Sequence, residues 1–236
     1  MGAQPGPDMD AEGFRRAWAD LHGGVEPSGM VGGWLRLGYA LAAPLARRRV
    51  PPDLVTLVAL VVAGCAVPAA AGRGRWALTA AALIAASGVL DGLDGPVAVL
   101  QGRSSRWGYV LDSFCDRLAE AGFGAALYLA GASGWAAAGW VGLGWLQEYL
   151  RARAGGAGLT GITVVTVSER PTRIAVAAMF LLGAGVYPPV GPTWVGVGAV
   201  AGCAVGLIGL GQLLFAVRRA LVAPPPTPPG SGTAAG

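Results

Sequence analysis

Between residues 54 and 217 the chain is divided into six apolar stretches, 54–71, 76–100, 107–130, 135–150, 174–190 and 193–217, by breaks rich in Gly, Pro or Arg, of which the longest is the polar loop expected over 151–173. Each stretch approaches the roughly 20 residues that an α-helix needs to cross the hydrocarbon of a bilayer. That repetition leaves few folds open. In lipid every backbone N–H and C=O must be paired internally, which restricts a spanning chain to helices or a closed barrel, and stretches this long are helical. Composition agrees where it bears on the point. Only 13% of the 236 residues are charged and 54% are hydrophobic, whereas soluble domains carry roughly 25% charge. The apolar content excludes a disordered chain. Three Cys, an odd number and all in apolar stretches, exclude a disulfide scaffold. The expected fold is an all-α integral membrane protein with six transmembrane helices.

The flanks read differently. Residues 1–30 form a polar N-terminal segment with a short amphipathic helix expected over 11–22; it lacks the apolar region of a signal peptide. Residues 31–50 read as an interfacial, juxtamembrane amphipathic helix. Trp34, Leu35, Leu37, Tyr39, Leu41 and Leu45 supply apolar area, and Arg47-Arg48-Arg49 closes it. Pro51-Pro52 opens a six-helix domain over 51–222, and the Pro/Gly-rich tail 223–236 is expected to be disordered. The net charge is +4 and all 17 basic residues are Arg. With the N-terminus cytoplasmic, that side holds Arg47, Arg48, Arg49, Arg103, Arg106, Arg151, Arg153, Arg170, Arg173, Arg218 and Arg219, against Arg73 and Arg75 opposite. The positive-inside rule then gives a multi-pass protein of the plasma membrane with both termini cytoplasmic. The basic excess reads as loops beside anionic lipid rather than a nucleic-acid site, because no soluble domain is left to bind one.

Charge inside the apolar stretches carries the functional information. Asp91 and Asp94 lie in the second stretch, and Asp112 and Asp116 in the third. A carboxylate at the centre of a membrane helix costs roughly 2.5–3.5 kcal/mol on insertion scales, so four on two consecutive stretches point to function. Asp91 and Asp94 are spaced i,i+3, and Asp112 and Asp116 i,i+4, so each pair shares a helix face. The two helices run antiparallel with both pairs toward the cytoplasmic end, and the four converge. Clustered carboxylates repel unless a cation lies between them. An all-oxygen set suits a hard divalent ion, Mg²⁺ or Mn²⁺, and four carboxylates suffice for two ions of the kind that clamp a pyrophosphate. Gly95 and Gly108 allow backbone close to a bulky ligand. The bland reading is that Arg103, Arg106 or Arg117 pairs with these Asp residues and only fixes helix packing.

The run from Asp91 to Asp116 closely resembles the signature of the CDP-alcohol phosphatidyltransferases, D-x-x-D-G-x-x-A-R-x(8)-G-x-x-x-D-x-x-x-D. One element differs: the signature Arg is Val99. Further likenesses are Pro52-Asp53-Leu54-Val55-Thr56 at the entry to the first stretch, Tyr149-Leu150-Arg151-Ala152-Arg153-Ala154 at the end of the fourth, and Glu169-Arg170-Pro171 with Arg173 before the fifth. The resemblance implies a six-helix homodimer that transfers a phosphatidyl group from CDP-diacylglycerol to a small polar alcohol and releases CMP. Carried over by residue, it implies metal ligation by Asp91, Asp94, Asp112 and Asp116, with Asp116 as the general base toward the acceptor hydroxyl. It implies a CDP site lined by Asp53, Thr56, Asp91, Gly95, Ala98 and Gly108. Arg103, four residues beyond Val99, is expected to reach back and supply the missing cation.

Arg117, Arg151, Arg153 and Arg173 are expected at the cytoplasmic mouth, where Arg forks suit the phosphate of a phosphorylated acceptor. Asp112-Ser113 with Asp116-Arg117 is more similar to the actinobacterial phosphatidylinositol-phosphate synthases than to the glycerophosphate enzymes. Inositol phosphate is therefore the expected acceptor, with glycerol 3-phosphate as the alternative. Two other readings stay open from the residues, a divalent-cation transporter and a family member impaired by Val99. Cys65, Cys115 and Cys203 read as small packing residues, His22 as solvent-facing, and Glu120 as a partner for an Arg.

Overall fold

A computed structural model of the chain describes residues 9–21, 29–159 and 164–222. These residues form α-helices and one 3-10 turn, with no strand among them. Two leading helices, α1 (Ala11–Leu21) and α2 (Gly29–Arg47), precede six more: α3 (Pro52–Ala71), α4 (Trp76–Gln101), α5 (Arg106–Ala130), α6 (Gly134–Gly156), α7 (Arg170–Val186) and α8 (Gly191–Val222). The 3-10 turn Pro188–Val190 joins the last two. His22 and the tail 223–236 lie outside the described residues.

Local chemistry sets the ends that matter for the site. Pro52 stands in the first turn of α3, where its missing N–H has no helical partner to lose. Gly102 ends α4 in the left-handed region at φ 61°, a conformation that a Cβ disfavours. The Arg103 N–H then donates to the Ala98 carbonyl at 2.9 Å and closes the helix end. Ser105 caps α5, its Oγ accepting from the Gly108 N–H at 2.9 Å. The chain therefore reverses within a few residues, and the acidic ends of α4 and α5 are brought side by side.

Small side chains set how closely the helices approach. Ala59, Ala63, Ala66 and Ala70 are buried on α3, which packs against both α4 and α5. On its other side α4 lies along α7, and α6 and α7 pack on α8. The main core gathers Ala63, Ala66 and Ala70 around Ile84, Phe123, Leu127, Trp140 and Leu181. A second apolar cluster joins Met9, Phe14, Leu35 and Ala42 of the leading segment to Val97 and Leu100 near the end of α4.

Among the described residues three stretches, Pro52–Ala71, Trp76–Gln101 and Pro188–Val222, are long and apolar enough to cross a membrane by length and composition. The other expected spans do not stand out in that way for physical reasons. α5 carries Asp112, Asp116, Arg117 and Glu120 within three turns, α6 ends in Glu148, Arg151 and Arg153, and α7 has 17 residues. Boundaries differ most from expectation between the fourth and fifth stretches. The long polar loop expected over 151–173 is shorter, because α6 continues to Gly156 and α7 begins at Arg170. Ala154 is buried against Leu213 and Val217 of α8, an apolar contact that holds the last turns of α6 helical and that no linear hydropathy reading contains. Cys65 departs from its expected packing role: it lies exposed on the outer face of α3, whereas Cys115 is buried.

Candidate active site

Asp91 on α4 and Asp112 and Asp116 on α5 each offer a carboxylate oxygen, and these three atoms lie within 4.8 Å of one another. Asp94 does not join them. Residues i and i+3 diverge by about 60° around a helix of 3.6 residues per turn, and that turn takes Asp94 toward α3. There Thr56 Oγ1 donates to Asp94 Oδ2 at 2.5 Å, and the Gly95 N–H donates to Asp94 Oδ1 at 2.6 Å. The four carboxylates are thus a trio and a neighbour.

The cation that faces the trio is Arg170, in the first turn of α7. Its guanidinium donates to Asp91 through Nη1 and pairs with Asp116 through Nη2 at 2.7 Å. Arg117 is a weaker partner, 3.6 Å from Asp116 and 3.3 Å from Glu120. Arg170 lies within the Glu169-Arg170-Pro171 likeness, which by itself assigns it no site role. The signal was present in that motif: Pro171 starts a helix, and the residue before it sits at the helix mouth.

Beside the trio opens a cavity of about 480 Å³. Asp53 and Thr56 of α3, Asp94, Gly95 and Ala98 of α4, and Gly108 and Asp112 of α5 all line it, together with Val99 and Arg103. The expected CDP-site residues thus stand around one space, except Asp91, which faces Arg170 behind it. A Cβ on Gly108 would come 3.2 Å from Ser105 Oγ and 3.7 Å from Asp53 Oδ1, so that glycine keeps the cavity mouth clear. Arg103 is not one helical turn beyond Val99, because α4 ends at Gln101 and the chain turns at Gly102. The turn nevertheless leaves Arg103 on the cavity wall.

The four arginines expected at an acceptor site are not brought into one cluster. Arg117 is shared between Asp116, Glu120 and Glu148. Arg151 pairs with Glu169 at 2.5 Å, and Glu169 also accepts from Thr166 N at 2.7 Å and Thr166 Oγ1 at 2.9 Å. Arg153 is exposed. Arg173 departs most from expectation. It is 5% exposed and is held by Glu120, itself 1% exposed, through Nε at 3.0 Å and Nη2 at 2.7 Å. Its Nη1 donates to the Ser168 carbonyl at 2.5 Å. Gly144 admits this side chain, since a Cβ there would lie 3.2 Å from Arg173 Nε. Arg173 therefore ties α7 to α5, rather than standing free at a mouth. Glu120 pairs with arginine, as expected.

The donor chemistry fits a hard divalent cation. All three converging groups are carboxylates, no nitrogen or sulfur ligand is among them, and their charge is offset from α7 by one guanidinium.

Fold and site together define an all-helical, membrane-associated protein with an acidic centre at one end of its bundle, open to a ligand-sized cavity. The CDP-alcohol phosphatidyltransferase family model matches residues 49–202, and the chain belongs to that family, as an enzyme of that type. Among curated relatives, the phosphatidylinositol phosphate synthase of Cutibacterium acnes is 32% identical over 207 residues, covering 80% of this chain and 95% of that protein. The archaetidylinositol phosphate synthase of Methanothermobacter thermautotrophicus is 36% identical over 148 residues, covering 61% of this chain and 74% of its own. The fold is similar to crystal structures of Mycobacterium tuberculosis phosphatidylinositol phosphate synthase. The form with CDP-DAG bound gives a TM-score of 0.62 at 24% identity, over 77% of this chain and 94% of that one. The complex with manganese and citrate gives 0.62 at 23% identity, over 77% and 88%.

Proposed function

We propose that this enzyme transfers the phosphatidyl group of CDP-diacylglycerol to inositol phosphate and releases CMP. The observation that carries the reading is the meeting of Asp91, Asp112 and Asp116 beside the cavity lined by the remaining signature residues. The acceptor is supported by relatives whose names specify inositol phosphate products, in bacteria and in archaea. The donor is supported by the CDP-DAG complex of the structural neighbour, and the use of a divalent ion by its manganese complex.

In this reading the acceptor hydroxyl attacks the phosphatidyl phosphorus, the P–O bond to CMP breaks, and the hydroxyl proton passes to Asp116. A general base so placed supplies roughly 10²–10⁴-fold. A divalent cation held by Asp91, Asp112 and Asp116, with a second one near Asp94, would neutralise the pyrophosphate and favour departure of CMP. Arg170 orients Asp91 and Asp116 from the far side, and Thr56 holds Asp94 toward the cavity. Arg117 and Arg153 are left as candidate contacts for the acceptor phosphate, with Arg151 available where it exchanges Glu169 for that phosphate.

The topology proposed with this chemistry has α3 to α8 as six spans, α2 along the cytoplasmic interface, and both termini and the site on the cytoplasmic side of the plasma membrane, in a homodimer. An embedded site of this kind leaves the donor acyl chains in lipid while its head group meets a soluble acceptor. The cation-transporter reading gains nothing from membership of a transferase family. The test is CMP release by purified protein with Mn²⁺ and CDP-diacylglycerol, offered inositol phosphate, glycerol 3-phosphate, inositol or serine in turn. Release with inositol phosphate is the expected result. Release with glycerol 3-phosphate alone would reassign the acceptor, and release with none by folded protein would overturn the enzyme reading.

A further inference from the structure

The cavity has two chemically different sides. One is polar, formed by α3, the start of α5 and the turn that carries Arg103, Ser104 and Ser105. The other is aromatic and apolar: Phe14 and Trp18 of α1, Trp34 and Leu35 of α2, and Val99 of α4. The leading helices fall outside residues 49–202, the segment matched by the family.

This second side is built, not incidental. Tyr39 Oη donates to the Met9 carbonyl at 3.0 Å, and the Phe14 and Tyr39 rings lie 5.9 Å apart, which fastens α1 onto α2. Phe14 is 2% exposed, so its position is fixed by packing. Asp10 Oδ1 accepts from the Gly13 N–H at 2.7 Å at the start of α1. Trp34 lies over α4 at a place without a side chain, since a Cβ on Gly92 would be 3.8 Å from its Cζ2. Val99 packs against the same apolar cluster that holds Phe14 and Leu35. The position at which the signature carries a cation is here continuous with an aromatic wall.

Resting on the reading of this cavity as the donor pocket, we propose that Trp18 and Trp34 hold the pyrimidine ring of the CDP donor, so that stacking from α1 and α2 supplies affinity where Val99 supplies no charge. A flat base needs an apolar face and polar partners at its edge. The wall offers the first, and Ser104, Ser105 and Asp53 of the same cavity offer the second. Base–aromatic stacking is sequence-tolerant and strong enough to carry much of a nucleotide's affinity.

The experiment measures CMP binding calorimetrically to the full-length protein in detergent with Mn²⁺, for wild type, Trp18→Ala, Trp18→Phe and Trp34→Ala. Trp34 is 59% exposed, so its removal leaves the core intact. The expected result is a Kd for CMP weakened roughly five- to a hundredfold by either alanine, largely restored by Trp18→Phe. Binding of Mn²⁺ alone and of ribose 5-phosphate, which lacks the base, should stay within about twofold. A CMP Kd unchanged in both folded alanine variants would overturn the proposal. So would a loss seen with CDP-diacylglycerol but not with CMP, which would assign the wall to the lipid. If wild type itself bound no CMP, the donor-pocket reading would fall, and the wall with it.

Discussion

Replacing Glu120 by Ala would leave the Arg173 guanidinium inside the bundle without its main partner. Arg173 is 5% exposed, and Glu120 accepts two of its hydrogen bonds, at 3.0 and 2.7 Å. What remains is the Ser168 carbonyl at 2.5 Å and a longer contact to Glu148 at 3.4 Å, neither of which replaces a buried carboxylate. Removing one member of a buried pair costs about 3–5 kcal/mol, because the other charge stays desolvated. For a chain of this size each kcal/mol moves Tm by roughly 2–4 °C. Glu120→Ala is therefore expected to lower the Tm of the detergent-solubilised protein by roughly 6–20 °C. Arg173→Met should produce a comparable fall. The double variant Glu120→Leu with Arg173→Met should recover much of it, since apolar replacement of both partners removes the desolvation cost as well as the attraction. The rival view, in which Arg173 binds the acceptor phosphate, expects the opposite pattern. Arg173→Met would then raise the acceptor KM with Tm unchanged, and Glu120→Ala would be mild. A melting curve for Glu120→Ala that overlays wild type would refute the assignment of this pair as the tie between α5 and α7.

Three further expectations concern the acidic centre and its surroundings. Asp116→Asn removes the proposed proton acceptor and should slow CMP release by roughly 10²–10⁴-fold; an unchanged rate would move that role to another group. Arg170→Gln removes the guanidinium that faces Asp91 and Asp116, and should destabilise the metal-free protein by about 2–3 kcal/mol. Added Mn²⁺ should then raise Tm more in this variant than in wild type, and equal shifts in the two proteins would refute the counter-ion role. Val99→Arg places a charge in the cluster of Phe14 and Leu35, and should cost about 1–3 kcal/mol without raising turnover; a several-fold gain in kcat/KM would show that the missing cation limits the enzyme.

Much of this protein is written along the chain. Helices are local structures, and their apolar stretches, the prolines and glycines at their ends and the serine that caps α5 are each set by neighbouring residues, so the order of elements from α2 to α8 could be read without a structure. The residue types and spacing from Asp91 to Asp116 put four carboxylates on two consecutive helices for the same reason. What the chain order could not settle is which groups face one another. That Asp94 turns to Thr56 while Asp91 joins Asp112 and Asp116 depends on how α3, α4 and α5 rotate about their axes. That Arg170 meets the trio, and that Arg173 is consumed by Glu120, depends on α7 packing between α4 and α8, with partners 79 and 53 residues away in the chain. The aromatic side of the cavity needs α1 and α2 to fold back on the end of α4. Charge and hydropathy identify residues that have to be neutralised or buried, but the choice of partner is a long-range packing outcome, and only the tertiary structure makes it.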